Sequence, residues 1–301
     1  MPHVMLDWET AVFIAAVCLA VGQTVLVATR KLAPPYRVAA PSAKDVAPAT
    51  GNTGRAREKN ARWRTVGAFV REAGLILALY GLWQLVGSLS FTHGDDAVSR
   101  GEWIWRTERR LGLPNEADLQ HLVIGHPWLV HVCDVYYATM HFSALIAMLV
   151  WVFLRHREAY PRVRFLVAAT TAACLAVGFV PVAPPRLIPV GMVDTARMYG
   201  ESVYTSTLTV DQYGAMPSVH VAWAALVPIV VIMVGNSGWR WLALLHFVIT
   251  VFVVVATANH YWADGIVALG LLGAVFAVQY ASLHVLRYRA VPAQPPVAEK
   301  C

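Results

Sequence analysis

Charged residues are scarce in this sequence. They make up 14% of the 301 residues, whereas soluble domains carry about 25%. So little charge cannot cover a water-soluble globule of this size. The hydrophobic content of 57% and the mean hydropathy of +0.53 therefore indicate a membrane protein. The 11 Trp residues agree with this interpretation, because Trp favours the lipid–water interface.

Cysteine is also scarce, with four residues in the chain. Cys18, Cys133 and Cys174 lie in apolar stretches, and Cys301 is the last residue. This pattern provides neither a disulfide framework nor metal-ligand spacing. The net charge of +6 is concentrated in short segments between apolar runs, which argues against a nucleic-acid partner.

Seven apolar segments are candidates to cross a membrane, a task that takes roughly 20 residues of helix. They are 11–29, 69–91, 128–154, 162–182, 218–235, 239–258 and 262–285. We therefore predict an all-α fold, a polytopic membrane helical bundle. Asp7 and Glu9, rather than basic residues, precede the first segment, so we expect it to be retained and not cleaved as a signal peptide.

The distribution of Lys and Arg predicts the orientation of the bundle. Eighteen of these residues fall on the side that holds residues 30–71, and six fall on the opposite side. Because basic loops stay in the cytoplasm, we predict a cell-membrane protein with its N-terminus outside and its C-terminus inside. The loops 92–127 and 183–217 are then outside. Trp103 and Trp105 lie among charges in the first loop, which predicts a helix on the membrane surface.

Polar residues at membrane depth are costly and need an explanation, and the first cluster of them begins the fifth segment. It reads Pro217-Ser218-Val219-His220. Pro and Ser are typical of helix starts, where Ser caps free backbone N–H groups. His220 is therefore predicted in the first helical turn. Such an N-terminus favours an anion such as phosphate.

The second cluster joins the sixth and seventh segments on the same predicted side. His260 and Asp264 are four residues apart, so on a helix they would share one face. A carboxylate that accepts a hydrogen bond from one imidazole nitrogen fixes the tautomer and leaves the other nitrogen free to attack. Three polar residues, His220, His260 and Asp264, therefore predict a phosphoester-transfer site.

The third cluster is Pro184-Pro185-Arg186, at the same end of the fourth segment. The planar donors of Arg match phosphate oxygens, and the prolines would hold the loop stiff. Other interpretations stay open. His260 and Asp264 could lock two helices together, and two His with a carboxylate form a known zinc set, although the helix start and Arg186 favour an anion.

Two strings, P-S-V-H at 217–220 and H-Y-W-A-D at 260–264, resemble motifs of the type 2 phosphatidic acid phosphatase superfamily. That family is a membrane helical bundle whose second motif is P-S-x-H and whose third motif ends in H-x-x-x-D. The resemblance implies that His260 is a nucleophile forming a phosphohistidine. It implies that Asp264 orients this nucleophile and that His220 exchanges the proton of the leaving group.

The sequence departs from the family in two places. The loop V-P-V-A-P-P-R-L-I-P at 180–189 lacks the Lys of the usual first motif, and Arg186 is its basic residue. Val253 and Val254 occupy the Ser-Arg position that opens the third motif. These departures, together with Y-A-T-M-H at 137–141, resemble the inositol phosphorylceramide synthase-like branch, which keeps the His/His/Asp set.

The resemblance covers roughly residues 70–285 and implies an enzyme, either a phosphoric ester hydrolase or a phosphotransferase. Its substrate would be a phosphorylated lipid and its acceptor a hydroxyl of water, a lipid or a sugar alcohol, with no metal and no cofactor. The implied substrate-binding residues are Arg186, Ser218, Pro185, Asn259, Tyr261, His141 and Tyr137. For His141, an interhelical hydrogen bond is the other interpretation.

The predicted domain organisation combines the spans with the resemblance. Its parts are a transmembrane helix in 1–32, a disordered basic cytoplasmic linker in 33–68, a six-span catalytic domain in 69–286 and a cytoplasmic tail in 287–301. A lipid transporter or flippase with a buried His/Asp site is the alternative function. It would place polar residues deep in several spans, whereas here they gather near one surface. The missing cations argue against a vanadate haloperoxidase.

Overall fold

The computed structural model describes residues 8–31, 51–88, 94–198 and 212–289. In these ranges the chain forms α-helices, short 3-10 turns and loops, without a β-strand. The helices are α1 (Trp8–Lys31), α2 (Gly51–Ser88), α3 (Gly94–Arg110), α4 (Glu116–Ile124), α5 (Pro127–Arg155), α6 (Tyr160–Gly178), α7 (Thr195–Met198), α8 (Val219–Val234), α9 (Ala243–Ala256) and α10 (Trp262–Arg289).

Six helices in the described ranges are long and apolar enough to cross a membrane. These segments are Trp8–Arg30, Arg57–Leu82, Pro127–Arg155, Tyr160–Gly178, Gly238–Ala256 and Trp262–Val285. They confirm the predicted all-α, polytopic membrane bundle. The fifth predicted span is the 16-residue α8, which at 1.5 Å per residue is about 24 Å long. It is therefore shorter than a typical hydrocarbon core.

The chain divides into two compact units between Ser88 and Leu89. The first unit contains α1 and α2, which pack along each other. A Cβ on Gly22 would lie 2.6 Å from the backbone nitrogen of Arg71, so glycine here allows the two backbones to approach closely. The first compact unit thus contains the first two predicted spans and ends at Ser88. The predicted domain boundary lay earlier, between residues 68 and 69.

The predicted disordered linker, 33–68, needs a correction. Residues 51–68 form the first part of α2, which continues without a break to Ser88. Nine of these 18 residues are Arg, Ala, Glu or Lys, which are strong helix formers. Arg62 and Glu58 also form an i,i+4 salt bridge of 2.7 Å. Residues 33–50 of the predicted linker and residues 290–301 of the predicted tail lie outside the described residues.

The second unit is built around α8. This helix packs against α5, α6, α9 and α10, and Ala222, Ala224 and Leu226 on it are fully buried. Small side chains on a central helix let its neighbours approach closely, as is usual in membrane bundles. Because α8 lies at the centre, a residue in its first turn is surrounded by other helices at that end of the bundle.

The loop 92–127 contains two helices, α3 and α4, where the sequence predicts a surface helix. One side of α3 buries Ala97, Ile104 and Glu108, and another side leaves Trp103 64% exposed. This two-sided pattern is typical of a helix that lies on a membrane surface. On its buried side α3 packs against α10 and the 3-10 turn Pro185–Leu187.

Candidate active site

Several helix ends meet at one end of the second unit. α8 and α10 begin there, and α6 and α9 end there. Backbone hydrogen bonds join the segments: Ser218 donates its N–H to the carbonyl of Asp264 (3.2 Å), and Arg186 donates its N–H to the carbonyl of Ala258 (3.0 Å). The three polar clusters that the sequence analysis selected are therefore brought together.

His220 is the second residue of α8, in its first turn. The helix starts as the sequence predicts: Ser218 is the N-cap, and its Oγ accepts the N–H of Val221 at 3.3 Å. Two side chains of α5 lie against the imidazole. The Tyr137 ring stacks on it with centroids 4.4 Å apart, and the His141 ring lies 4.1 Å away. These contacts fix the orientation of a partly exposed His220.

His260 lies in the turn between α9 and α10, not on a helix. Ala258 has a positive φ of 53°, and the N–H groups of Asn259 and His260 both donate to the carbonyl of Val254 at 3.1 Å. The prediction that His260 and Asp264 share one helical face is therefore wrong. A short connection must reverse the chain, so His260 belongs to this turn and Asp264 to the first turn of α10.

The turn nevertheless brings His260 and Asp264 into contact. Nδ1 of His260 lies 3.2 Å from Oδ2 of Asp264 and 2.8 Å from the backbone oxygen of Ala215. Oδ2 also accepts the N–H of Tyr261 at 2.9 Å. Both side chains are buried: His260 is 4% exposed and Asp264 is fully buried.

These contacts set the tautomer of His260. A carbonyl oxygen can only accept a hydrogen bond, so Nδ1 carries the proton and donates to both oxygens. In the neutral imidazole, Nε2 then has the free lone pair. It has no hydrogen-bond partner among the described residues. The ring of His220 faces this imidazole, with centroids 5.5 Å apart.

Arg186 is tied to the same turn. It lies in the 3-10 turn that begins at Pro185, and its Nε donates to Oδ1 of Asn259 at 2.9 Å. Its Nη1 lies 3.6 Å from Oδ2 of Asp194. Since Asn259 is adjacent to His260 in the chain, these bonds hold a buried guanidinium beside the His260 turn.

A comparison with protein-family models matches residues 102–278 to the PAP2 superfamily. The match covers more than half of the chain. The chain belongs to the PAP2 superfamily. PAP2 proteins are phosphoric ester hydrolases or phosphotransferases. Membership of this family supports a phosphatase-type activity on lipid phosphates. Searches of curated proteins and of solved structures find no match to this chain.

The positions at which the chain departs from the PAP2 motifs have a structural role here. Val253 and Val254, in place of Ser-Arg, are buried in the core between α4, α5, α8 and α9. The carbonyl of Val254 also accepts both amide bonds of the His260 turn. Arg186 of this PAP2 protein contacts that turn from the loop that holds Pro185, through a bond to Asn259.

The remaining predicted substrate-binding residues surround the two histidines. Tyr261 is buried, and burial raises the pKa of its phenol, which stays protonated and donates to the carbonyl of Ala183 at 2.8 Å. His141 shares a hydrogen bond of 2.9 Å between Nδ1 and the carbonyl of Tyr137, one turn earlier on its own helix. The His141 ring also lies beside His220, with centroids 4.1 Å apart. Its hydrogen bond stays within α5 and is therefore not interhelical.

Two buried polar residues of α3, α4 and their connection (residues 94–124, called the α3–α4 hairpin below) make bonds to the site that the sequence does not predict. Oε1 of Glu108 accepts the N–H of Ala263 at 2.6 Å. Gln120 makes two bonds of 2.8 Å to the backbone of Val193. Burial and the neighbouring Glu116 raise the pKa of Glu108 to about 9. Their partners are distant in the chain, so no local motif marks them.

The zinc interpretation finds no support in the geometry. Among the residues that the structure describes, no group of three or more His, Cys, Asp or Glu side chains is arranged to hold a metal ion. Nδ1 of His260 is engaged with Ala215 and Asp264, and His220 faces aromatic rings.

Proposed function

We propose that this PAP2 protein transfers the phosphoryl group of a lipid phosphate through a phosphohistidine on His260. One observation carries the proposal: Nδ1 of His260 is held by two acceptors, Ala215 and Asp264, so the lone pair of Nε2 is presented next to His220. An imidazole with this tautomer and a neighbouring carboxylate is an activated nucleophile.

In the first step, Nε2 of His260 attacks phosphorus and the bond from phosphorus to the leaving oxygen breaks. Protonated His220 gives its proton to that oxygen. Asp264 stabilises the imidazolium character that develops on His260. Arg186 and the N-terminus of α8 stabilise the negative charge of the transferring group.

In the second step, a hydroxyl acceptor gives its proton to His220 and its oxygen attacks the phosphoryl group. The phosphorus–nitrogen bond breaks and His260 returns to its starting state. With water as the acceptor the reaction is hydrolysis, and with a lipid or sugar alcohol it is transfer. We favour an alcohol acceptor, as in the inositol phosphorylceramide synthase-like branch. The reason is that Val253 and Val254 occupy the Ser-Arg position of the third motif, a departure that resembles this branch.

We also propose that the site opens on the extracytoplasmic side of a cell membrane. The support is the bias of 18 Lys and Arg residues on one side against six on the side of the site, combined with the tendency of basic loops to stay in the cytoplasm. Intact cells that make the protein should then consume a membrane-impermeant lipid phosphate added outside. Consumption only after permeabilisation would reverse the orientation.

The test uses the purified full chain in detergent with a panel of lipid phosphates, with and without alcohol acceptors. We expect turnover by the wild type, loss in His260→Ala and retention in His121→Ala, since His121 is exposed on α4. Turnover of any substrate by His260→Ala at the wild-type rate would refute the assignment. Transport of lipid between leaflets without chemical change would favour the transporter instead.

A further inference from the structure

The α3–α4 hairpin touches the catalytic end of the bundle through buried polar bonds. Glu108 is 1% exposed and Glu116 is fully buried, although carboxyl groups are almost never buried without partners. The bonds that they make therefore explain why a surface hairpin buries two carboxyl groups. None of these residues belongs to the mechanism proposed above.

The first contact is with the start of α10, which directly follows the His260 turn. Oε1 of Glu108 accepts the N–H of Ala263 at 2.6 Å, one residue before Asp264. The indole of Trp262 donates to the carbonyl of Pro114, between α3 and α4, at 3.0 Å. Two consecutive residues at the start of α10 are thus bonded to the hairpin.

The packing of α3 adds a second restraint on the same turn. A Cβ on Gly101 would lie 2.6 Å from the carbonyl oxygen of Ala183 and 2.7 Å from the phenol oxygen of Tyr261. Glycine is therefore required for α3 to lie this close. Since Tyr261 follows His260 directly, a shift of α3 would be transmitted to the His260 turn.

The second contact is with the loop that carries Arg186. The side-chain amide of Gln120 donates to the carbonyl of Val193 and accepts its N–H, both at 2.8 Å. The next residue, Asp194, pairs with Arg186 at 3.6 Å. The hairpin therefore holds both the nucleophile's turn and the loop of the buried cation.

We propose that the α3–α4 hairpin is a positioning element for phosphoryl transfer, in which Glu108 fixes the His260 turn and Gln120 fixes the Arg186 loop. Oε1 of Glu108 accepts from Ala263, its Oε2 lies 3.7 Å from Nη2 of Arg109, and Arg109 pairs with Glu116 at 2.9 Å. Burial and Glu116 raise the pKa of Glu108 to about 9, which favours a neutral carboxyl group at this position. The inference rests on the proposed function.

The bond to Ala263 makes a sharp prediction for substitutions. In Glu108→Gln, the amide oxygen can still accept the N–H of Ala263, so this bond persists. In Glu108→Ala, it is lost. Misplacement of reacting groups by about 1 Å costs about 100-fold in rate, so we expect Glu108→Ala to lower kcat about 10- to 100-fold with little change in KM.

The experiment measures kcat and KM of the full-length variants on one lipid phosphate, together with hydrogen–deuterium exchange of the peptide that contains Ala263. Glu102→Ala is the matched control, since Glu102 is on the same helix and pairs with Arg106. We expect Glu108→Ala to lose kcat and to speed exchange at this peptide. Glu108→Gln and Glu102→Ala should stay within about threefold of the wild type, well inside that loss.

Gln120→Glu gives a second measurement if Glu108→Ala does not fold, because a carboxylate cannot donate to the carbonyl of Val193. We expect it to raise KM more than it lowers kcat, since it loosens the Arg186 loop. Equal kinetics and equal exchange in Glu108→Ala and Glu102→Ala, or a Glu108→Gln enzyme as impaired as Glu108→Ala, would overturn the inference. A wild type that turns over no lipid phosphate would instead refute the proposed function, and the exchange experiment would still compare the variants.

Discussion

The substitution Asp264→Asn separates two roles that a carboxylate can have beside a catalytic imidazole. It can fix the tautomer, and it can stabilise the cation that forms on attack. In this structure the carbonyl of Ala215 also accepts from Nδ1 of His260, at 2.8 Å. Because that carbonyl remains in the variant, the tautomer should be preserved and only the charge is removed.

The orientation of the new amide is also determined by its surroundings. Two donors, the N–H of Tyr261 and Nδ1–H of His260, point at Oδ2 of Asp264, whereas Oδ1 has no partner among the described residues. The amide oxygen of Asn should therefore take the Oδ2 position, and its NH2 group should take the Oδ1 position.

The expected loss follows from the charge alone. A hydrogen bond to a charged group contributes about 1.5–3 kcal/mol, and each 1.36 kcal/mol corresponds to about tenfold in rate. We therefore expect phosphoenzyme formation to slow by about 10- to 150-fold. In a serine protease triad, where the Asn variant yields the wrong tautomer, the loss is about 10⁴-fold.

Rapid-quench measurement of phosphoenzyme formation in Asp264→Asn, beside the wild type and His260→Ala, gives the answer. A loss as large as that of His260→Ala would refute the reasoning, since it would mean that Ala215 cannot hold the tautomer by itself. An unchanged rate would also refute it, since the carboxylate would then stabilise no developing charge.

Three further predictions concern binding and stability. Arg186→Ala should raise KM for a lipid phosphate about 10- to 100-fold, the equivalent of one charged hydrogen-bond partner, while the exposed Arg197→Ala should not; equal KM values would contradict this role. Ser218→Ala should lower the free energy of unfolding by about 0.5–2 kcal/mol, because it removes the N-cap of α8, and denaturant unfolding in detergent that shows no change would argue against the cap. The pKa of Glu108 rises on folding from 4.5 to about 9, so the folded state binds the extra proton and wild-type stability should fall as pH rises across that interval. Thermal unfolding at both ends of the interval should show a smaller fall in Glu108→Gln, and an equal fall would contradict the shift.

Hydropathy and helix-start residues predicted most of the fold, because both are local properties. The apolar runs gave six membrane-length helices, and Pro217 and Ser218 gave the start of α8. The stretch 51–68 was missed because its polar composition resembles a linker, although half of its residues favour helix. Hydropathy does not register that preference.

The sequence predicted which residues form the site better than it predicted how they are arranged. His220, His260 and Asp264 do come together, but His260 reaches Asp264 from a turn and not along a helical face. The bond from Nδ1 of His260 to Ala215 depends on a backbone atom 45 positions earlier. No spacing rule identifies such a partner.

The buried bonds of the α3–α4 hairpin were beyond prediction for the same reason. Glu108 and Ala263 are 155 residues apart, and Gln120 and Val193 are 73 apart. The charges of this polar loop indicate that Glu108 lies on the outer side, but they do not indicate what it binds. Only the folded chain shows that its partner is the N–H of Ala263.

The most direct test of the account is to locate the phosphoryl group during turnover. The full chain is mixed with a lipid that carries a radioactive phosphate, quenched within milliseconds, and digested for mass spectrometry. The phosphohistidine mechanism predicts an acid-labile label on the peptide that contains His260, present in His121→Ala and absent in His260→Ala. Turnover by a wild type that never carries label on His260, or label on another residue, would contradict it.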